Sequence, residues 1–274
     1  MTKKIIFFCT SHKRVDYLNN FSHLKLISCS GKDIGGNWIS LHNKDNINHK
    51  FLSYADLTAH YLIWKNEIKN LLNEKMLISF SQYRRHWVNN NFTKKNYSFE
   101  DLENLILKES EKKWDNYESI LTTPFIFKTK FIEKLKNLNF FESEVNIKKQ
   151  MFQSLGNGAE SIYDKILSEL PDDLAIKFDT HISHTNILSA HGMYISTPKI
   201  LDNFFSISFD WYEKCESIID PESNLTLVNK PRFFQYLNER FSDFWFKNFT
   251  DFTTNPICMC HFEKNKLSLI GKKY

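Results

Sequence analysis

Residues 76–87 read MLISFSQYRRHW. The opening run of apolar and small residues has the look of a buried strand, because strands covered on both faces show continuous rather than alternating hydrophobicity. It stops at two adjacent arginines, Arg84 and Arg85, flanked by Tyr83 on one side and by His86 and Trp87 on the other. A guanidinium is costly near a core unless an anion pairs with it. The strand end therefore calls for an anion, supplied either by the protein or by a ligand.

Working outward, KKIIFFCTSHKR (3–14) reads as a strand running into a polar loop, and LKLISC (24–29) as a second strand. GKDIGGNWIS (31–40) is a loop on its glycines. The clearest helix follows. Ser53 and Asp56 have the spacing of a capping box, and Leu57, Tyr61, Trp64, Ile68 and Leu71 recur at helical spacing. Strand, loop, helix, strand is the signature of an α/β sheet with crossover helices.

Residues 98–115 read as a polar-faced helix beginning at Ser98, TTPFIFKT as a short strand, and 130–170 as mostly helical with a break at GNG (156–158). LAIKFDTH and ILSAHGMYIS read as later strands. Two helices close the pattern, one after Thr197 and Pro198 and one from Pro231 through Trp245. No repeat, linker or low-complexity tract divides the chain, so residues 1–274 are expected to form one domain, with helical additions around 98–170 and 198–248.

Composition narrows the function. With 274 residues the chain can bury a substantial core. A formal net charge of +4, from 36 basic and 32 acidic residues, fits an anionic small substrate or a membrane surface and falls short of a nucleic-acid footprint. IIFFC is too short for a signal peptide and no stretch approaches a spanning length. Five cysteines without a framework spacing suggest a reducing cytoplasm. Cys258 and Cys260 in ICMCHF alternate as strand neighbours would.

The plain reading of Arg84 and Arg85 is pairing with carboxylates. The functional one is that they hold a diphosphate, which suits the guanidinium fork. Many nucleotide-sugar enzymes bridge that diphosphate through a metal on Asp-x-Asp, a motif this chain lacks. Two arginines could neutralise the same charge. Gly35, Gly36 and Asn37 form a surface turn or let backbone amides approach a ligand. Asp56 has a sufficient job as a cap, Tyr61 and Trp64 read as core, and Lys65 as a solvated residue or a second phosphate contact. His181, His184 and His191 lack the spacing of a zinc motif and read as scattered. Glu239 and Arg240 are helix neighbours that do not share a face, and each is explained by pairing with another element.

Taken in order, GGNWIS, YADLTAHYLIWKN, QYRRHW, GMYIS and RFFQYLNERF resemble a bacterial glycosyltransferase family, long catalogued as a domain of unknown function, that includes galactofuranosyltransferases of O-antigen and capsule assembly. The likeness spans nearly the whole chain and is densest from Gly35 to Trp87. It implies an α/β fold with a glycosyltransferase-A-like mixed sheet, crossover helices and a helical C-terminal part. It also implies a UDP-sugar donor, typically UDP-galactofuranose, and a hydroxyl acceptor on a growing, often lipid-linked, surface glycan. By residue-by-residue transfer, Asn37, Ser40, Asp56, Thr58, Lys65, Asn66, Tyr83, Arg84, Arg85, Glu239 and Arg240 become pocket candidates. This sequence departs from the family pattern at Gln82 (His in the family), Asp56 (Glu) and Gly192 (Asn), which puts the donor sugar in question more than the reaction class.

The expectation is thus a cytoplasmic hexosyltransferase, inverting and needing no cofactor, with a divalent metal left open. It would touch the inner membrane only peripherally, with Phe244, Trp245 and Phe246 as contact or, on the plainer reading, core. Asp179, at the end of the supposed strand LAIKFD, and Glu239 are the candidate bases, with Asp56 third because capping already explains it. The alternatives are a non-catalytic nucleotide- or glycan-binding protein of the same fold and, last, a nucleic-acid-binding module.

Overall fold

The computed structural model describes residues 3–32, 38–39, 44–89, 97–127, 145–156, 158–219 and 232–270. Asn37 and Ser40 lie outside the described residues, as do most of the glycine loop around them and the stretch 128–144. The strands are β1 (Lys4–Ser11), β2 (Leu24–Ser28), β3 (Trp38–Ile39), β4 (Met76–Gln82), β5 (Arg85–Trp87), β6 (Ser119–Thr122), β7 (Phe125–Ile126), β8 (Ile187–Leu188), β9 (Tyr194–Ser196), β10 (Phe252–Asn255), β11 (Ile257–His261) and β12 (Lys266–Ile270). The α-helices are α1 (Phe51–Tyr54), α2 (Leu57–Asn66), α3 (Leu102–Leu105), α4 (Ile147–Leu155), α5 (Ala159–Leu167), α6 (Asp172–His184), α7 (Pro198–Cys215) and α8 (Phe233–Phe249).

The main sheet runs β10-β6-β9-β4-β1-β2-β3. β1 pairs in parallel with β2 and β4, β2 with β3, and β6 with β10. β9 lies antiparallel between β4 and β6, which makes the sheet mixed. Every residue of β4 is buried, as its unbroken apolar run requires. The pleat sends alternate residues to two cores. Phe8, Ile78 and Phe80 join α2, α7 and α8 on one face, while Phe7, Cys9 and Leu77 join Trp87, Trp114 and Cys258 on the other. Trp64 is core as expected, stacking on Phe209 and donating its indole N–H to Asp202 at 2.6 Å, whereas Tyr61 is half-buried and packs against that core.

Several sequence expectations change. LAIKFDTH is helix α6, not a strand. Pro171 caps it, Asp172 and Asp173 occupy its first turn, and Leu174, Ala175, Phe178 and Ile182 bury one helical stripe. The helix from Ser98 does begin at a capping box with Asp101, yet it ends at Leu105 and not at 115. Thr197 and Pro198 start α7 as read, with Thr197 Oγ1 accepting from Ile200 N–H. Phe244, Trp245 and Phe246 are buried on α8, which rules out their use as a membrane contact. Among the described residues no helix is long and apolar enough to cross a membrane.

Candidate functional site

The strand that ends on QYRRHW turns back on itself. Gln82 of β4 faces Arg85 of β5 across a tight turn made by Tyr83 and Arg84, and β5 goes on to pair with β11. Tyr83 N–H donates to Thr10 O at 2.8 Å and Cys260 N–H to Arg84 O at 2.8 Å, so both neighbouring strands fix the turn. The hairpin thereby stands at the carboxyl ends of β1 and β4, the edge where open α/β sheets bind ligands.

A cleft of about 280 Å³ opens there, lined by His12, Ala55, Asp56, Gln82 to Arg85, His191, Arg232 and, from α8, Gln235, Tyr236 and Glu239. Gln235 and Glu239 sit at i and i+4 on one face of α8 with Tyr236 beside them, while Arg232 stands just before the helix in a left-handed conformation. Four non-glycine residues have positive φ among the described residues, and three of them, Ala55 (48°), His191 (81°) and Arg232 (77°), line this cleft. Unfavourable backbone gathered at one place marks a site held in shape by its surroundings.

Gln82 ties the cleft together. Its Nε2 donates to Asp56 Oδ2 at 2.7 Å and to the His191 carbonyl at 2.9 Å, while its Oε1 accepts from Arg85 Nη1. The backbone amide of His191 in turn favours the charged form of Glu239. Two carboxylates from distant parts of the chain are thus joined through an amide and a peptide group. Burial pushes both above the ordinary carboxylate range. Asp56 is pulled back by the Cys29 thiol, Arg85 and Arg232, and Glu239 by Arg240 and Arg85. Burial likewise pulls the His191 imidazole down to about 3, with Arg85 adding to the effect, so that ring is neutral at physiological pH.

The arginines answer the opening question by default. Among the described residues neither Arg84 nor Arg85 has an ion-pair partner, and the Nε of each is buried without a hydrogen bond. Arg84 lies over the Tyr83 ring at 5.2 Å, and that ring stacks on Phe262. Arg85 feels Glu239 and Asp56 electrostatically without touching either.

The remaining candidates fall into place around this core. Asp56 does not cap α2: its side chain makes no capping bond, so the expected capping box is absent and the carboxylate faces the cleft. Thr58 is buried and donates to Cys29 O at 2.6 Å and Ala55 O at 2.9 Å, bracing the turn that presents Asp56. Lys65 lies over the Trp64 ring at 4.0 Å, and Asn66 holds the backbone of Asp45; neither lines the cleft. Arg240 is 2% exposed behind the cleft wall, bonded to Tyr236 O, to Gln150 and to Glu239 Oε2 at 3.1 Å. Its pairing with its own neighbour corrects the expectation that the two must pair elsewhere: both side chains are long enough to meet across the helix surface. Asp179 is mid-helix on α6, bonded to Lys148 and the Tyr163 hydroxyl at 2.8 Å each, and does not line the cleft. His181 pairs with Asp243 and His184 bonds Thr180 O, so the three histidines are scattered as read. Sequence reasoning missed His12, Arg232, Gln235 and Tyr236; the i, i+4 spacing of Gln235 with Glu239 was the available signal.

A family model described as "Domain of unknown function (DUF4422)" matches residues 5–250. The chain belongs to this family. A search of curated proteins gave no match. Among solved structures, the DUF4422 chain is similar to the apo structure of WbbM, a bifunctional glycosyltransferase, with a TM-score of 0.58 at 16% identity. The match covers 93% of this chain and 44% of that one, so the chain spans less than half the length of its structural neighbour. The likeness is one of fold: a mixed α/β sheet of glycosyltransferase-A type. Among the described residues no group of three or more His, Cys, Asp or Glu could hold a metal ion.

Proposed function

We propose that this chain transfers a hexose, galactofuranose in the first instance, from a UDP-sugar to a hydroxyl of a surface-glycan acceptor, with inversion. The observation that carries the reading is a pair of arginines with no ion-pair partner among the described residues, beside two desolvated carboxylates at the ligand-binding edge of the sheet. In this reading Arg84 and Arg85 take the donor diphosphate. Their fixed positive charge stabilises the departing UDP and does the work a metal does elsewhere. Glu239 is the base, because Arg240 and the His191 amide hold its carboxylate in position while burial raises its basicity. It takes the acceptor hydroxyl proton as that oxygen bonds to the anomeric carbon and the bond to the β-phosphate oxygen breaks. Asp56, steadied by Gln82, orients the donor. The glycan or lipid-linked glycan acceptor enters from the open side, where Arg232 is exposed.

The test is thermal stabilisation by UDP and UDP-sugars, with and without EDTA, on the wild type and on Arg84→Ala with Arg85→Ala. A ligand held by the folded state alone raises its stability. The reading expects a shift that EDTA leaves unchanged and the double variant abolishes. Absence of any nucleotide-dependent shift in the wild type overturns it. Tight UDP binding without transfer of any sugar would favour a non-catalytic binding protein.

A further inference from the structure

Gln235 is 7% exposed, lines the cleft, and has neither amide atom in a hydrogen bond. Buried polar groups in folded proteins are almost always paired, so an amide with both ends free in a ligand cleft is aimed at something the protein does not provide. It is the most buried of the α8 residues in the cleft, where Tyr236 and Glu239 are half-buried, and Arg232 just before the helix is exposed at the rim. The neutral His191 ring adds a third buried atom without a partner, Nε2. Above the amide sits Gly192, at φ 58°, where a Cβ would come within 2.9 Å of Gln235 Nε2. A glycine there holds the turn in a left-handed conformation and leaves the space over the amide open.

We propose that Gln235 selects the sugar carried by the donor, by hydrogen-bonding its ring hydroxyls in a niche that Gly192 keeps open. This rests on the reading of the cleft as a nucleotide-sugar site. A carboxamide presents one donor edge and one acceptor edge, which together match a pair of neighbouring hydroxyls. An apolar or purely anionic group would leave one edge unpaired. Depth in the cleft favours a single sugar ring over an extended acceptor chain. Sites built to bond a hydroxyl reject analogues that misplace it far more strongly than apolar pockets do.

The experiment is calorimetric titration of the full chain with UDP, UDP-glucose and UDP-galactose in its pyranose and furanose forms, on the wild type, Gln235→Met and Gly192→Ala. Met keeps the length of Gln without its polar edges. Gln235→Met is expected to bind UDP within about twofold of the wild type, while the spread of affinities among the sugars shrinks by about tenfold or more. Its ligand-free melting temperature is expected to match or exceed the wild type, because an unpaired buried amide stabilises nothing. Gly192→Ala should also lose sugar affinity with UDP binding kept. An unchanged spread in Gln235→Met, equal loss of UDP and UDP-sugar affinity, a lowered melting temperature that marks a structural amide, or no spread in the wild type would each overturn the niche. Failure of the wild type to bind UDP would overturn the nucleotide reading itself, and with it this proposal; a retained UDP affinity separates the two failures.

Discussion

Replacing Asp56 by Asn should make the protein more stable at alkaline pH. The wild-type carboxylate is desolvated, and taking such an ion out of water costs several kcal/mol. Against that stand the 2.7 Å bond from Gln82 Nε2, which as a bond to a charged group returns about 1.5–3 kcal/mol, and the partial compensation by Arg85 and Arg232. Burial still outweighs them. The carboxyl therefore holds its proton to higher pH in the folded chain than in the unfolded one, and stability is lost as pH rises from the ordinary carboxylate range through the folded value. Asn still accepts from Gln82 and carries no charge to desolvate. The expected gain at about pH 8 is on the order of 2 kcal/mol, or about 4–8 °C in melting temperature for a chain of this size. Below the ordinary carboxylate range both forms are neutral and the difference should close. Melting curves of the two proteins from pH 4 to 9 measure this directly. A variant that melts lower than the wild type at pH 8, or a gap that does not change with pH, would show that the site compensates the charge and would refute the argument.

Three further outcomes follow from the same geometry. Glu239→Gln should lower turnover by about 10²–10⁴ while leaving the UDP-induced shift intact, since a general base contributes to the chemical step and not to diphosphate binding; steady-state kinetics beside a binding assay separate the two. Gln82→Met removes a partner from Asp56, Arg85 and the His191 carbonyl at once. It should cost about 2–4 kcal/mol in urea denaturation near neutral pH, and a change below about 0.5 kcal/mol would deny Gln82 its central place. Asp179→Asn keeps acceptors for Lys148 and Tyr163 on a half-exposed helix face and should leave both UDP binding and turnover within about twofold, whereas a large loss of turnover would return Asp179 to the base role.

What the sequence disclosed was what local pattern can carry. The apolar run at 76–82 had one sensible reading because nothing in it alternates, and β4 is indeed buried throughout. LAIKFD was misread because six residues cannot distinguish a buried strand from one and a half turns of helix. Pro171, Asp172 and Asp173, just upstream, held the helix signal. Asp56 shows the opposite error: the spacing of a capping box was present, but Ala55 at φ 48° breaks the helix between Ser53 and Asp56 and turns the carboxylate outward to the cleft. No sequence window reports a break that depends on tertiary contacts. The site itself was half legible. Arg84 and Arg85 were read from the strand end itself, Asp56 and Glu239 became pocket candidates from resemblance, and Gln82 appeared only as a departure from a family pattern. Its role needs Asp56, 26 residues away, and His191, 109 residues away, and such meetings exist only in the folded chain.

That departure bears on how the two carboxylates communicate. A histidine between Asp56 and Arg85 would carry a titrating proton in the middle of the network, near physiological pH. The Gln82 amide cannot titrate, so between Asp56, Arg85 and the His191 carbonyl only the carboxyl changes its protonation with pH. What remains to vary is charge alone. With the cleft empty, Arg85 lowers both carboxylates from where burial would leave them. If a diphosphate takes the arginines, that relief is shared with the ligand, and Asp56 and Glu239 move further up. On the proposed reading of Glu239 as base, its basicity would then be greatest while the donor is bound and least after UDP has gone.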